Sequence, residues 1–587
     1  MQNKFTTLVA VCCVTLLFGA CSSTPKHAQY IPKDALAVLS VNTGAISKEV
    51  AWAKITGSKI LDDMEKNAKN EKEKKAAQGI KNIENSGIDF MSTLYLYTKS
   101  DTRYSGSQHV TAVLPIKDKS KWEAWLKSVW PDANIHAVGA RREALLGNKA
   151  YAAWDDGVAM IMNAVMIRNT QNAPQPTTTD SVASEAAIAS PDANMSITEK
   201  ADEAATAADM DLAFKLPKES SIIENARFKT LMHEGHDVSL YVNYEAAMNS
   251  ATAMSNGAMG MNMGASLWQN TALTAGMDFK NGALDGNFRY YSSDSMKAIA
   301  KEFGADNFDA TMASRVPGQN LNLAAGYHLS PKALKMVLDK MGYGALANMY
   351  LAPQGFTVDG ILNAFSGDIA FCANNLTMTK ETQGADSASQ AYGMKPYESM
   401  TPKLDYIIAL KIGDKAAFDK LFKFVNANAG MTLVETSPGT YTLPAEAKSG
   451  NAMMDNLTFV VTDKYFAVGN NPASLQAYLK GGGSSSDAAK SELGGHPIGL
   501  YADVQSLLQA GAAMAGTPAD AAAMAEVKKL FADFGMHGGE FKDGANEYSF
   551  SLRMVNKSEN SLLQLVQFAQ RMSEMSNKSN GAATNPI

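Results

Sequence analysis

Apolar residues recur at i, i+3, i+4 and i+7 in Trp122, Trp125, Leu126 and Val129, and the spacing returns in Phe418, Leu421, Phe422 and Val425. That period puts four large side chains on one face of a helix. Each predicted helix follows an apolar strand and an aspartate-lysine pair, Ile116-Lys117-Asp118-Lys119 and Ile412-Gly413-Asp414-Lys415. Both aspartates are placed to accept hydrogen bonds from the first free backbone N–H groups of the helix. Elsewhere the pattern alternates with period two, as in Thr93 to Tyr97 and Tyr406 to Ile412. Alternation of this kind predicts half-buried strands and disfavours a parallel sheet covered on both faces.

Further matches run in the same order along the two halves. Ile31-Pro32 and the strand Ala35 to Val41 correspond to Val316-Pro317 and Leu321 to Tyr327, and Ala152 to Met160 corresponds to Val460 to Val468, with Asp155 and Asp463 at the turns. Gly235-His236-Asp237 corresponds to Gly495-His496-Pro497, and Phe279-Lys280-Asn281-Gly282 to Phe541-Lys542-Asp543-Gly544. Asn-Gly and Asp-Gly between alternating apolar runs signal two-residue hairpin turns, in which both central residues take positive φ. The expected fold class is therefore α+β: two tandem, diverged copies of one unit, each an antiparallel sheet with helices on one face and ferredoxin-like elements.

The separation between matched positions lengthens from Pro32/Pro317 to Asp155/Asp463 and shortens by His236/His496, which requires an insertion in the first copy. Asn172 to Ala208 fits that place. It is rich in Ala, Thr, Ser, Pro and Asp and nearly devoid of large apolar residues, so it is expected to stay disordered. Gly481 to Ser486 is its short counterpart, a linker with no Gly-Lys-Ser/Thr to make it a phosphate cradle. The chain thus divides into a signal segment over 1–20, a lipidated tether over 21–29, a first lobe over 30–305 with an insertion over about 170–210, a second lobe over 311–574 and a flexible tail over 575–587.

The N-terminus carries Lys4, an uncharged run from Phe5 to Phe18, and Gly19-Ala20 before Cys21, the three-part layout of a secretory signal. The run is shorter than the roughly 20 apolar residues that span a bilayer. Leu17-Phe18-Gly19-Ala20-Cys21 resembles a lipobox, although Phe18 stands where an aliphatic residue is commoner. The resemblance implies cleavage before Cys21 and acylation of its thiol and amino group; ordinary signal-peptidase cleavage after Ala20 is the alternative. The other cysteines are Cys12 and Cys13, inside the signal, and Cys372, in an apolar run that predicts a buried thiol. Net charge is −6, and lysines are interleaved with glutamates as in Asn70 to Lys75, which argues against nucleic acid as a partner.

With its lipobox followed by Ile31-Pro32-Lys33-Asp34 and an apolar strand, and with Asn225-Ala226-Arg227-Phe228 ahead of Gly235-His236-Asp237, the chain resembles the Bacteroidetes lipoproteins that carry a domain of unknown function. The resemblance covers most of the mature chain. It implies an envelope location and no activity; Ser22-Ser23-Thr24-Pro25-Lys26 lacks the acidic residues that the family's surface-export signals often carry, so the acyl anchor is expected on the periplasmic side of the outer membrane, with the cell surface as the alternative.

No Gly-x-Ser-x-Gly elbow, Walker loop, dinucleotide fingerprint or calcium loop occurs, so no residue is nominated as catalytic and no cofactor is expected. Ser105-Gly106-Ser107-Gln108-His109 reads as a hairpin loop. His233 and His236 have a spacing that could share a metal on a helix, but Gly235 argues against helix there, and His236 and His496 are expected to cap a helix or satisfy backbone groups where the chain enters a strand. Met259, Met261 and Met263 form the one soft-ligand cluster, a candidate for copper(I), set against adaptable apolar packing in a Met-rich chain. Three function classes remain: a non-enzymatic binding or scaffolding protein with an unknown protein or apolar partner, which leads; a carrier of lipid or another apolar ligand; and a hydrolase working in a cleft between the lobes.

Overall fold

The computed structural model describes residues 24–101, 107–147, 150–163, 165–169, 198–254, 267–383, 397–428, 432–448, 452–481, 486–513 and 517–582. Contacts divide the chain into two compact units, Met1–Ala45 with Met64–Gly235, and Ile46–Asp63 with His236–Ile587. This division lies at Gly235/His236, away from the sequence-derived lobe boundary near 305–311, because the strands after His236 pair within the second unit.

The first unit holds β1 (Ala37–Asn42), β2 (Thr93–Asp101), β3 (Ser107–Pro115), the helix α1 (Lys119–Val129), β4 (His136–Val138), β5 (Arg141–Leu146), β6 (Ala150–Trp154) and β7 (Val158–Asn163). All pairings are antiparallel, in the order β1-β2-β3-β7-β6-β5-β4. Asp118 caps α1 by accepting from the Lys121 N–H, and Trp122, Leu126 and Val129 are buried on its inner face, as the apolar period requires. Trp122 meets Trp154 edge-on with ring centroids 6.3 Å apart.

Three expectations are corrected in this unit and at the C-terminus. The tether does not extend to residue 29: Lys26–Tyr30 is a 3-10 turn in which His27 and Ala28 are buried, with His27 Nε2 2.5 Å from the Thr93 carbonyl oxygen. The described end of the insertion is not disordered either. Thr198–Asp202 (β9) pairs with Val165–Asn169 (β8), and α2 (Glu203–Phe214) buries Thr206, Met210 and Ala213. Alanine-rich sequence has high helix propensity, and apolar groups at this spacing give the helix a face to bury. Finally, the tail is helical well past Asn577, within a helix running to Ala582.

The second unit holds β10 (Val238–Asn243), β11 (Ala272–Lys280), β12 (Ala283–Tyr291), α3 (Lys297–Phe303), β13 (Leu321–His328), β14 (Phe365–Gln383), β15 (Tyr397–Ile412), α4 (Lys415–Asn428), β16 (Val434–Ser437), β17 (Thr440–Thr442), β18 (Thr458–Val461), β19 (Tyr465–Gly469), α5 (Asp487–Leu493), β20 (Ile498–Ala502), β21 (Phe531–Lys542), β22 (Ala545–Met554) and α6 (Ser561–Ala582). Its strands, again antiparallel, follow the order β10-β11-β12-β22-β21-β20-β13-β14-β15-β19-β18-β17-β16. From β13 to β16 this repeats the strand order of the first unit, with α4 standing where α1 stands. Phe418 of α4 is buried, packing edge-on against Phe365 at 5.6 Å.

The two hairpin turns differ in backbone. Asp543 and Gly544 both have positive φ, at 49° and 87°, whereas at the first turn only Gly282 does, at 69°. Asn281 forms a bridge with Asn560 and the Gly282 N–H donates to the Glu559 carbonyl, so the segment ahead of α6 takes up the turn that the Asn-Gly signal would otherwise complete alone.

Truncating Met210 to Ala tests the helical end of the insertion: a loss of about 2–5 kcal/mol in urea denaturation is expected for a buried methionine, against no measurable change if the segment were unstructured.

Candidate functional site

β12 and β22 run side by side, Asn287 opposite Ser549, and their side chains alternate between two unlike faces. On one face Phe288 stacks on Tyr548 at 4.6 Å, Phe550 lies over Gly286, where a Cβ would sit 2.3 Å from its ring, and Tyr290 stands opposite Asn546. On the other, Arg289 Nε donates to Glu547 at 2.6 Å and Ser551 Oγ donates to Asp285 at 2.7 Å.

The aromatic face opens into a cavity of about 270 Å³ beneath α3. Tyr290, Tyr327 and Tyr548 line it together with Met296, Ile299 and Phe303, and no described lining residue is charged. Asn546 ties α3 across it, donating to the carbonyls of Ala300 (3.2 Å) and Gly539 (2.8 Å). The void has a backbone cause. Gly538 pairs with Tyr548 but offers no side chain, and Gly539 is the extra residue of a bulge, with φ at 143° and 102° respectively. A Cβ on Gly538 would lie 2.3 Å from the Glu547 carbonyl oxygen, so only glycine fits. Burial raises the pKa of Tyr290, Tyr327 and Tyr548, which keeps all three as neutral hydrogen-bond donors.

The polar face gathers histidine-carboxylate pairs. His236 Nδ1 donates to Asp278 at 3.0 Å, His496 Nδ1 to Glu540 at 2.5 Å and His537 Nδ1 to Glu492 at 2.9 Å, with the rings of His496 and His537 stacked at 4.2 Å. Buried Glu492 also accepts from Arg553 at 3.0 Å. His236 and His496 therefore hold side-chain carboxylates. The helix Ala226–Glu234 ends at Gly235 (φ 73°), so the helical geometry that His233 and His236 would need for a shared metal is not formed.

A further cluster went unread in the sequence because its members come from four separate segments. His328 Nδ1 donates to Asp368 at 2.9 Å, Ser366 Oγ donates to the other Asp368 oxygen at 2.9 Å, and Lys411 pairs with Asp309. Burial would raise the Asp309 pKa, but Lys411, Thr311 and two backbone N–H groups outweigh it and hold the carboxyl down at about 2. In a serine hydrolase the imidazole bridges nucleophile and carboxylate. Here the carboxylate bridges serine and imidazole, so the hydrolase order is not formed. Cys372 is fully buried, its thiol pushed up to about 12 by burial, as the apolar run predicted for an inert thiol.

Met259, Met261, Met263 and Cys21 lie outside the described residues. Among the described residues no group of three or more His, Cys, Asp or Glu could hold a metal ion, and no helix is long and apolar enough to cross a membrane.

No family model matches the chain, and no curated protein matches it. A solved structure, crystal form I of TP0453, aligns at 8% identity over 46% of this chain and 80% of that one, with a TM-score of 0.23. A likeness of that size carries no argument.

The hydrogen bond to Asp368 raises the His328 pKa above its ordinary value of 6.5. The pair therefore stabilises the fold fully below about pH 6.5 and loses that contribution as pH rises through the higher folded value. His328→Gln is expected to be less stable than wild type in mildly acidic buffer and to show a flatter stability profile across this window, measured by denaturant midpoints at several pH values.

Proposed function

We propose that the chain is a lipid-anchored envelope protein, built from two diverged copies of one α+β unit, that binds an apolar ligand and does no chemistry of its own. The observation that carries the binding reading is the uncharged, tyrosine-lined cavity under α3. Pockets that hold small molecules are concave and mostly apolar with a few polar groups, and this one has that character. The ionisable clusters nearby are mutually neutralised pairs, which favours stability over reaction.

Support for the duplication comes from the strand order shared by β1 to β7 and β13 to β19, and from the match of His236-Asp278 with His496-Glu540. The β12–β22 ladder adds a third line. It centres on Asn287 and Ser549, which are themselves matched positions when the two hairpins are aligned on Phe279 and Phe541. Support for the anchor comes from the signal layout, the lipobox-like run before Cys21 and the resemblance to Bacteroidetes lipoproteins. Two or three acyl chains, at about 0.8 kcal/mol per buried CH₂, hold a protein durably on a membrane, here the periplasmic side of the outer membrane.

A scaffolding role has one observation in its favour. The helix Tyr343–Leu351 carries no charged residue and leaves Leu346, Met349 and Tyr350 exposed by 46%, 61% and 67%, an apolar face of the kind that protein partners cover.

Native mass spectrometry of protein extracted gently from membranes is expected to show a diacyl or triacyl modification on Cys21 and a small co-purifying adduct. Cys21→Ser should move the protein to the soluble fraction. An unmodified N-terminus elsewhere would overturn the anchor, and a bare mass with no ligand uptake would overturn the binding reading.

A further inference from the structure

We propose that the cavity under α3 selects an uncharged, ring-sized molecule bearing a hydroxyl or carbonyl group and rejects the corresponding carboxylate. This rests on reading the cavity as a ligand site, and specifies the chemistry that the site accepts.

Size comes first. At about 270 Å³ the cavity falls just below the roughly 300–1,000 Å³ of pockets for drug-sized ligands, and it equals about nine water shares of ~30 Å³ each. One substituted ring fills that space, whereas a whole lipid chain does not fit.

Shape and rigidity follow from the sheet. The Tyr548 ring is fixed by stacking on Phe288 at an interplanar angle of 11°. On its β21 side, the bulged Gly539 lines the cavity without a side chain. With φ at 102°, a side chain at Gly539 would be strained, and its Cβ would crowd Pro497 at 3.0 Å. The result is a preformed flat aromatic wall, and a preformed site loses little affinity to ordering.

Charge decides the chemical class. No described lining side chain is cationic, and a buried anion without a partner is strongly disfavoured. The polar groups present suit a neutral ligand. Tyr327 and Tyr548 hold phenols that burial keeps protonated, and Asn546 spends its amide hydrogens on Ala300 and Gly539, so what it has left to offer is an acceptor oxygen.

The test titrates the full-length protein with benzyl alcohol and with benzoate at neutral pH, read by ligand-observed saturation-transfer NMR, alongside Ala300→Leu, which narrows the cavity from α3. Benzyl alcohol is expected to bind about tenfold or more tightly than benzoate, and Ala300→Leu to weaken it severalfold while keeping the wild-type circular dichroism. If Ala300→Leu fails to fold, Tyr548→Phe, which removes one hydroxyl and keeps the ring, should weaken the alcohol severalfold. Equal binding of the two probes, abolished by Ala300→Leu, would overturn the selectivity and leave the site standing. Binding of neither probe, or binding unaffected by either variant, would overturn the site and the proposed function with it.

Discussion

The pairing of β12 with β22 is the contact on which the second unit depends. Each strand closes a hairpin that would be marginal alone, because a two-stranded ribbon buries little and exposes both edges. Joined edge to edge, the hairpins become the second to fifth strands of a thirteen-strand antiparallel ladder among the described residues. The period of two then forces a division of labour. Phe288, Tyr290, Tyr548 and Phe550 share one face, while Asp285, Asn287, Arg289, Glu547, Ser549 and Ser551 share the other. A slip of one residue would exchange the faces and place the ion pairs beneath α3.

Local features were legible in the sequence because their causes are local. The apolar face of α1, the burial of Phe418 on α4, the Asp118 cap and the hairpin turn at Asp543-Gly544 follow from spacing and backbone preference within a few residues. The β12–β22 pairing joins segments far apart in the chain, and nothing in either segment names its partner. The end of the insertion departs from its average composition for a different reason. Averaging composition from Asn172 to Ala208 hid a short alanine-rich helix whose Thr206, Met210 and Ala213 share a buried face. The cavity did leave a trace, since Gly538-Gly539 inside a strand pattern is a signal for a bulge and a close approach, and its meaning waited on knowing that Tyr548 lies opposite.

The ionisable groups of the second unit are largely committed to one another. A reactive group needs a partner that leaves its reactive form available. His236, His496 and His537 each commit Nδ1 to a carboxylate, Glu492 is shared between His537 and Arg553, and Asp368 is shared between His328 and Ser366. Such networks gain their stability by satisfying one another, and breaking one partner leaves a charge stranded in a poorly solvated place. Their distribution also fits the sheet: the pairs at Asp278, Glu547 and His537 occupy the face from which the cavity is absent.

The bulge at Gly539 links the two faces. On β11, which has no bulge, Gly276 stands opposite Asn287 and leaves room for the His236 ring, whose atoms would lie 2.0 Å from a Cβ there. On β21 the extra residue shifts the register, so His537 instead of a glycine falls opposite Ser549 and its ring stacks on His496. The same shift moves Gly538 opposite Tyr548 and makes Gly539 the extra residue, which lines the cavity without a side chain. One inserted residue thus accounts for both the paired imidazoles on the polar face and the void on the aromatic one. The corresponding hairpin without it has neither a second imidazole beside His236 nor a gap beside Gly286, where the Phe550 ring already lies. A single bulged residue is therefore enough to set the β21–β22 hairpin apart from the β11–β12 hairpin and to leave a glycine at the cavity wall.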